Sequence, residues 1–189
     1  PASGLSVNST GNLLVGTVGA SSGIVAGTGD VGLNIAGTLG INQPVSVVNG
    51  DFLAISTGAV TQTASIAADV LSVVTKNNAG APITLNNPAN AVSVIDLSAL
   101  NAGASATAPG AISYRDSADF NVFNVQTASN VTLQAGGPVS QSGPLVANGV
   151  QVTAVGGINL NSGSNAVSSA NFSNTGGGGI VFNNTATNL

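Results

Sequence analysis

Short runs in which Val, Leu or Ile alternates with a small polar residue recur along the chain at nearly constant spacing. Leu13-Leu14-Val15, Leu33-Asn34-Ile35, Leu53-Ala54-Ile55 and Leu71-Ser72-Val73 start 20, 20 and 18 residues apart. A second series, Val18, Leu39, Val60 and Ile83, runs in step, and a third, Ile24, Val45, Ile66 and Val92, follows it. Gly, Ala, Asn or Ser separates the runs. A period of two turns one side of a strand to the core. Three short strands and their corners in about 20 residues is the spacing of one turn of a triangular parallel β-helix.

The pattern therefore predicts an all-β fold, a right-handed parallel β-helix (β-solenoid) with three short strands per coil. Stacked coils hydrogen-bond in parallel and satisfy the backbone without any helix. Val, Leu and Ile are expected inside, with Ser, Thr, Asn and Gln outside. Gly and Asn suit the corners because they tolerate positive φ, and Asn on adjacent coils can stack its amides in ladders. Eight coils are expected, starting near Leu13, Leu33, Leu53, Leu71, Leu97, Val131, Val150 and Phe172. Stacked at strand spacing, they make a rod of roughly 40 Å.

A longer repeat supports this reading. Gly58-Ala59-Val60-Thr61-Gln62-Thr63 returns 79 residues later as Gly137-Pro138-Val139-Ser140-Gln141-Ser142. Pro82-Ile83-Thr84-Leu85-Asn86 returns after 75 as Gly157-Ile158-Asn159-Leu160-Asn161, and Asn90-Ala91-Val92-Ser93 returns after 75 as Asn165-Ala166-Val167-Ser168. One circuit is irregular, since Leu97 to Val131 is 34 residues. The surplus is expected as a loop insertion at 101–119 within a single solenoid segment, 1–189. That loop holds Tyr114, Arg115, Asp116 and Asp119, the densest polar and aromatic cluster of the chain, and loops on rigid scaffolds often carry binding residues.

Composition narrows the function. Charged residues are 4% of the 189, against roughly 25% in an ordinary soluble domain. All six acids are Asp, facing one Lys and one Arg, for a net charge of −4. His and Cys are absent, which excludes a His-based triad, a thiol nucleophile, a Cys or His metal site and disulfides. Two cations make no footprint for nucleic acid or an anionic membrane. A transmembrane segment is not expected, because polar residues or Gly break every apolar run well short of the about 20 residues a spanning helix needs. No basic and then apolar leader is legible near Pro1, so the segment is expected to be mature or excised from a longer chain. Absent Cys and Met fit a protein that meets oxidants outside the cell.

The run Val131-Thr132-Leu133-Gln134-Ala135-Gly136-Gly137-Pro138-Val139-Ser140-Gln141-Ser142-Gly143 resembles the repeats of filamentous haemagglutinin-like bacterial exoproteins. So do Gly156-Gly157-Ile158-Asn159-Leu160-Asn161 and Asn174-Thr175-Gly176-Gly177-Gly178. The likeness is clearest over residues 50–189. These exoproteins are large secreted adhesins exported by two-partner secretion, and the resemblance implies an extracellular, cell-surface stalk or fibre. It carries no catalytic residues across. The secretion domain that opens such proteins is not recognisable here, so a shaft fragment is the better match.

Each candidate site has a plainer structural reading. Asp116 and Asp119 could form the carboxylate pair of a glycosidase, and Tyr114 and Arg115 could join them in binding a glycan; the plainer reading is a solvated loop. Gly27-Thr28-Gly29-Asp30-Val31-Gly32-Leu33 echoes a calcium-binding nonapeptide, but that chemistry needs tandem copies. Asp51, Asp69 and Asp96 read as isolated acids. Thr61-Gln62-Thr63 and Thr185-Ala186-Thr187 suggest ice-binding arrays, which require Thr in register on many coils. Phe52, Phe120, Phe123, Phe172 and Phe182 read as core fillers. Asn-X-Ser/Thr sequons at Asn8, Asn130, Asn171 and Asn183 are expected by chance in so Asn-rich a chain.

The sequence thus points to a non-enzymatic segment of a secreted surface fibre, with no cofactor or metal, mediating adhesion or filament assembly. Expected partners are further copies, end-to-end or side-by-side, and surface glycans. The alternative is a polysaccharide-active β-helix enzyme or a carbohydrate-binding module using the 101–119 loop.

Overall fold

The computed structural model describes residues 4–47 and 49–186. Among them every regular element is a strand, and no helix is long and apolar enough to cross a membrane. Nineteen strands join through parallel pairing into one continuous sheet. It coils into a β-solenoid of about eight turns, roughly 21 residues each. The remaining two strands, Thr17–Val18 and Ser21–Ser22, form a small antiparallel hairpin on the first coil.

Register partners define columns along the axis. Leu13, Leu39, Val60, Ile83, Ile112, Val131, Val150 and Ala170 stack in one column through all eight coils. Leu5, Val31, Phe52, Leu71, Ile95 and Val122 form a second. Ile24, Val45 and Ile66 begin a third. Alternation sets the inward side: Val31, Leu33 and Ile35 of one strand are buried over Phe52 and Ala54 of the next. Each such aliphatic or aromatic side chain contributes about 1.5–3 kcal/mol on burial.

Register also corrects details of the sequence reading. Leu33 stacks on Ala54, not Leu53. Phe52 heads its strand and takes the core, so Leu53 is turned outward and is 42% exposed. Val18 lies in the exposed hairpin, and Leu13 heads the column expected of it. Val92 pairs with Ala68 rather than with Ile66. The expected stacked amides occur only as single rungs, Asn34 Nδ2 donating to Asn8 Oδ1 at 3.3 Å and Asn148 Nδ2 to Asn130 Oδ1 at 3.3 Å.

The irregular circuit changes the frame of the solenoid. Residues 101–111 leave the ladder as a turn-rich excursion, with an isolated bridge between Leu100 and Thr107 and anchoring bonds from the Ala108 N–H to the Ala99 carbonyl and from Thr127 Oγ1 to the Gly110 carbonyl. The chain rejoins at the strand Ile112–Asp116, so the insertion ends before Tyr114. The next strand, Phe120–Gln126, lies over the long strand Ala91–Leu100, with a bulge that leaves Phe123 unpaired. Its two halves then part: Phe120 is followed by Val139, and Val125 by Leu145 on a different strand. One face has become two. The motif at Val60 consequently stacks in one column, while its repeat at Val139 stacks in the column of Phe120, Ile158 and Ile180.

The first and last strands pair on one side among the described residues. Leu5–Ser9, Leu13–Val15 and Ile24–Ala26 pair on one side only, and Val7, Leu13, Ile24 and Ala26 are half-covered. At the other end Ala166–Asn174 and Ile180–Phe182 pair on one side, with the Phe172 and Phe182 rings 4.9 Å apart.

Candidate functional site

The strand Ile112–Asp116 alternates in burial, which decides the fate of the cluster expected in the loop. Ile112, Tyr114 and Asp116 face inward, while Ser113 and Arg115 face outward. Tyr114 is fully buried, edge-on to Phe120 at 5.2 Å between ring centroids. Asp116 is 2% exposed. Its Oδ2 accepts the Tyr114 hydroxyl at 2.5 Å and the Val92 N–H at 3.0 Å, and its Oδ1 accepts the Ala118 N–H at 2.9 Å. Burial, then the charge of Asp116 and its hydrogen bond, push the Tyr114 phenol far above its ordinary range. Arg115 and Asp119 are exposed.

The solvated-loop reading is therefore wrong for Tyr114 and Asp116. The polar composition of Ile112-Ser113-Tyr114-Arg115-Asp116 hides an ordinary strand alternation. Asp116 is buried with both oxygens accepting hydrogen bonds, while Asp119 is exposed. Of the four, Arg115 and Asp116 line a shallow groove together with Pro88, Gln134 and Thr153.

Asp116 belongs to a set of corner residues that replace ladder hydrogen bonds. Asn90 Oδ1 accepts the Ile66 N–H at 2.9 Å, and Asn165 Oδ1 accepts the Leu145 N–H at 2.9 Å. Asn90 Nδ2 donates to the carbonyls of Leu85 and Arg115; Asn165 Nδ2 donates to those of Leu160 and Asn183. Gln62 closes the first network and Gln141 the second, each exchanging amide bonds with its Asn. These are the residues that the 79- and 75-residue repeats carry. Asn184 caps Val167 in the same way, its Oδ1 accepting the N–H at 2.9 Å.

Asp96 is hydrogen-bonded across three coils. Its Oδ2 accepts from Ser72 Oγ at 3.0 Å and its Oδ1 from Asn124 Nδ2 at 2.8 Å, side chains that parallel register brings together from 24 and 28 residues away. Asp30 Oδ1 accepts the Asp51 N–H at 3.0 Å, a corner contact. No group of three metal-ligating side chains occurs among the described residues. Thr61, Thr84, Ser113 and Thr132 align on four successive coils, but apart from Thr61 none of them belongs to a Thr-X-Thr motif. The next outward column is mixed, with Arg115, Gln134 and Thr153 in register. Thr185 Oγ1 is occupied by the Asn165 carbonyl at 2.6 Å, and Thr187 lies outside the described residues. Phe52 and Phe120 fill the core and Phe172 and Phe182 are half-buried, but Phe123 is 55% exposed.

The molecule defined by these features is a parallel β-solenoid in which Asn90, Asn165 and Asp116 hold corners by bonding the backbone of adjacent coils. No protein-family model, curated protein or solved structure matches the chain.

Proposed function

We propose that this chain is a structural segment of a secreted bacterial surface fibre or adhesin, a stiff β-helical shaft that mediates adhesion or filament assembly. The observation that carries this reading is the column of eight register partners running unbroken from Leu13 to Ala170, including past the excursion at 101–111. Such a stack resists bending, because tilting one coil breaks hydrogen bonds on the opposite side. All eight charged side chains lie between Asp30 and Asp119, so the coils on either side of that span offer no charge that would oppose strand pairing. An edge of one copy can continue into another, a head-to-tail contact that yields open filaments. The resemblance of Val131–Gly143 to exoprotein repeats favours the extracellular setting.

Electron microscopy of the purified chain tests the reading, with fibre diffraction on concentrated material. Rods or end-to-end filaments with a meridional spacing of about 4.8 Å are expected. Compact particles that stay monomeric at high concentration would reject it.

A further inference from the structure

We infer that the outer wall around Phe123 is a binding site for an extended, neutral polysaccharide. The chain has six aromatic residues, five Phe and one Tyr. Two Phe and the Tyr are buried and two Phe are half-buried at the C-terminal end. Phe123 alone stands on the wall of the central coils. It is turned out by the backbone: the bulge over Ile95 and Asp96 adds one residue, and that residue is Phe123. Bulges re-aim a side chain in this way next to functional sites. The coil above accommodates the bulge through Gly143, where a Cβ would fall 1.7 Å from the Phe123 carbonyl oxygen.

The surface beside the ring is polar and already ordered. On one side Asn124 Nδ2 donates to Asp96 Oδ1 at 2.8 Å and to Ser98 Oγ at 2.9 Å, and Gln126 Nε2 donates to Ser98 Oγ at 3.2 Å. On the other, Asn121 Nδ2 donates to Ser140 Oγ at 3.0 Å. These bonds fix the side chains while leaving the carbonyl oxygens of Asn124 and Gln126 to accept from a ligand. An apolar ring among fixed amides, hydroxyls and one carboxylate is the chemistry that recognises a pyranose, whose C–H face stacks on the ring while its rim of hydroxyls takes the hydrogen bonds. Asp96 places a negative charge in this surface, which disfavours an acidic ligand. A solenoid wall is flat, so useful contact requires a polymer lying across several coils, whose polar rows recur about every 4.8 Å.

The site does not depend on filament assembly, and binding is measured on the dispersed chain. The test is affinity electrophoresis through gels containing, in turn, a soluble β-glucan, an α-glucan, a mannan, a galactan and an acidic pectate. Retardation by at least one neutral polymer is expected. Phe123→Ala should weaken it about tenfold, the scale of one lost aromatic contact, while Phe123→Trp retains it. Asn124→Ala should weaken it too, and Arg115→Ala should leave it unchanged. Unchanged thermal melting would show that each variant is folded. Retardation by none of the gels, by the pectate alone, or equally in Phe123→Ala would overturn the proposal, as would a loss confined to Arg115→Ala.

Discussion

Two corners of the solenoid do the same job with different chemistry. At Asn90, and again at Asn165, one amide accepts an N–H from the preceding coil and donates to the carbonyl of the following one. At Asp116 a carboxylate accepts the Val92 N–H but has nothing to donate, and a buried phenol supplies the third bond. An amide is both donor and acceptor and can knit three coils; a carboxylate can only be surrounded by donors. The repeated corner is therefore self-sufficient, and it recurs together with its Gln. The Asp116 corner needs Tyr114 and sits beside the change of frame, where no second copy of it exists.

The sharpest way to break this comparison is to force one chemistry on the other. Asn90→Asp keeps the shape but turns donors into acceptors facing the carbonyls of Leu85 and Arg115 and the Gln62 oxygen. It should lower the unfolding free energy in urea by about 3–5 kcal/mol. The same change at Asn165 should cost about as much, because the same bonds are lost.

Removing the donor at the other corner is milder. Tyr114→Phe should cost about 1.5–3 kcal/mol, the worth of a hydrogen bond to a charged group. Alkaline titration probes the same bond. The fold holds the phenol neutral beyond its ordinary pKa of 10.0, whereas the unfolded chain ionises there. The unfolded state thus binds fewer protons above that pH, so this contribution is intact below it and falls by up to about 1.4 kcal/mol per unit beyond it. Tyrosinate absorbance should appear only as the protein unfolds, and Tyr114→Phe should remove this component of the slope. The smallest effect is expected from Asp116→Asn. One amide oxygen can keep the Tyr114 and Val92 bonds, but the NH2 then faces the N–H of exposed Ala118, and the loss should be about 1 kcal/mol. A loss as large as that of Asn90→Asp would overturn the contrast between the two corners.

Much of the fold was legible because a period of two is a direct imprint of a strand with one dry side. Leu39, Val60 and Ile83 stack as their spacing suggests, as do Ile24, Val45 and Ile66. Registers failed where corner length decided them. Nothing in Asp51-Phe52-Leu53 says that the ring rather than the leucine begins the inward series, and nothing in Phe120–Gln126 announces a bulge. The cluster at Tyr114 and Asp116 was misplaced because polarity was read ahead of alternation. The Gln62–Asn90 network was present in the repeated motifs but silent, since its partners are 28 residues apart and meet only through stacking.

The division of one face into two has a consequence for how such molecules lengthen. A duplicated block need not span a whole number of coils to be accepted, provided its corner-holding amides travel with it. A chain of this kind can grow by copying errors of uneven size, each arriving at a new angle around the axis and still finding rungs to join.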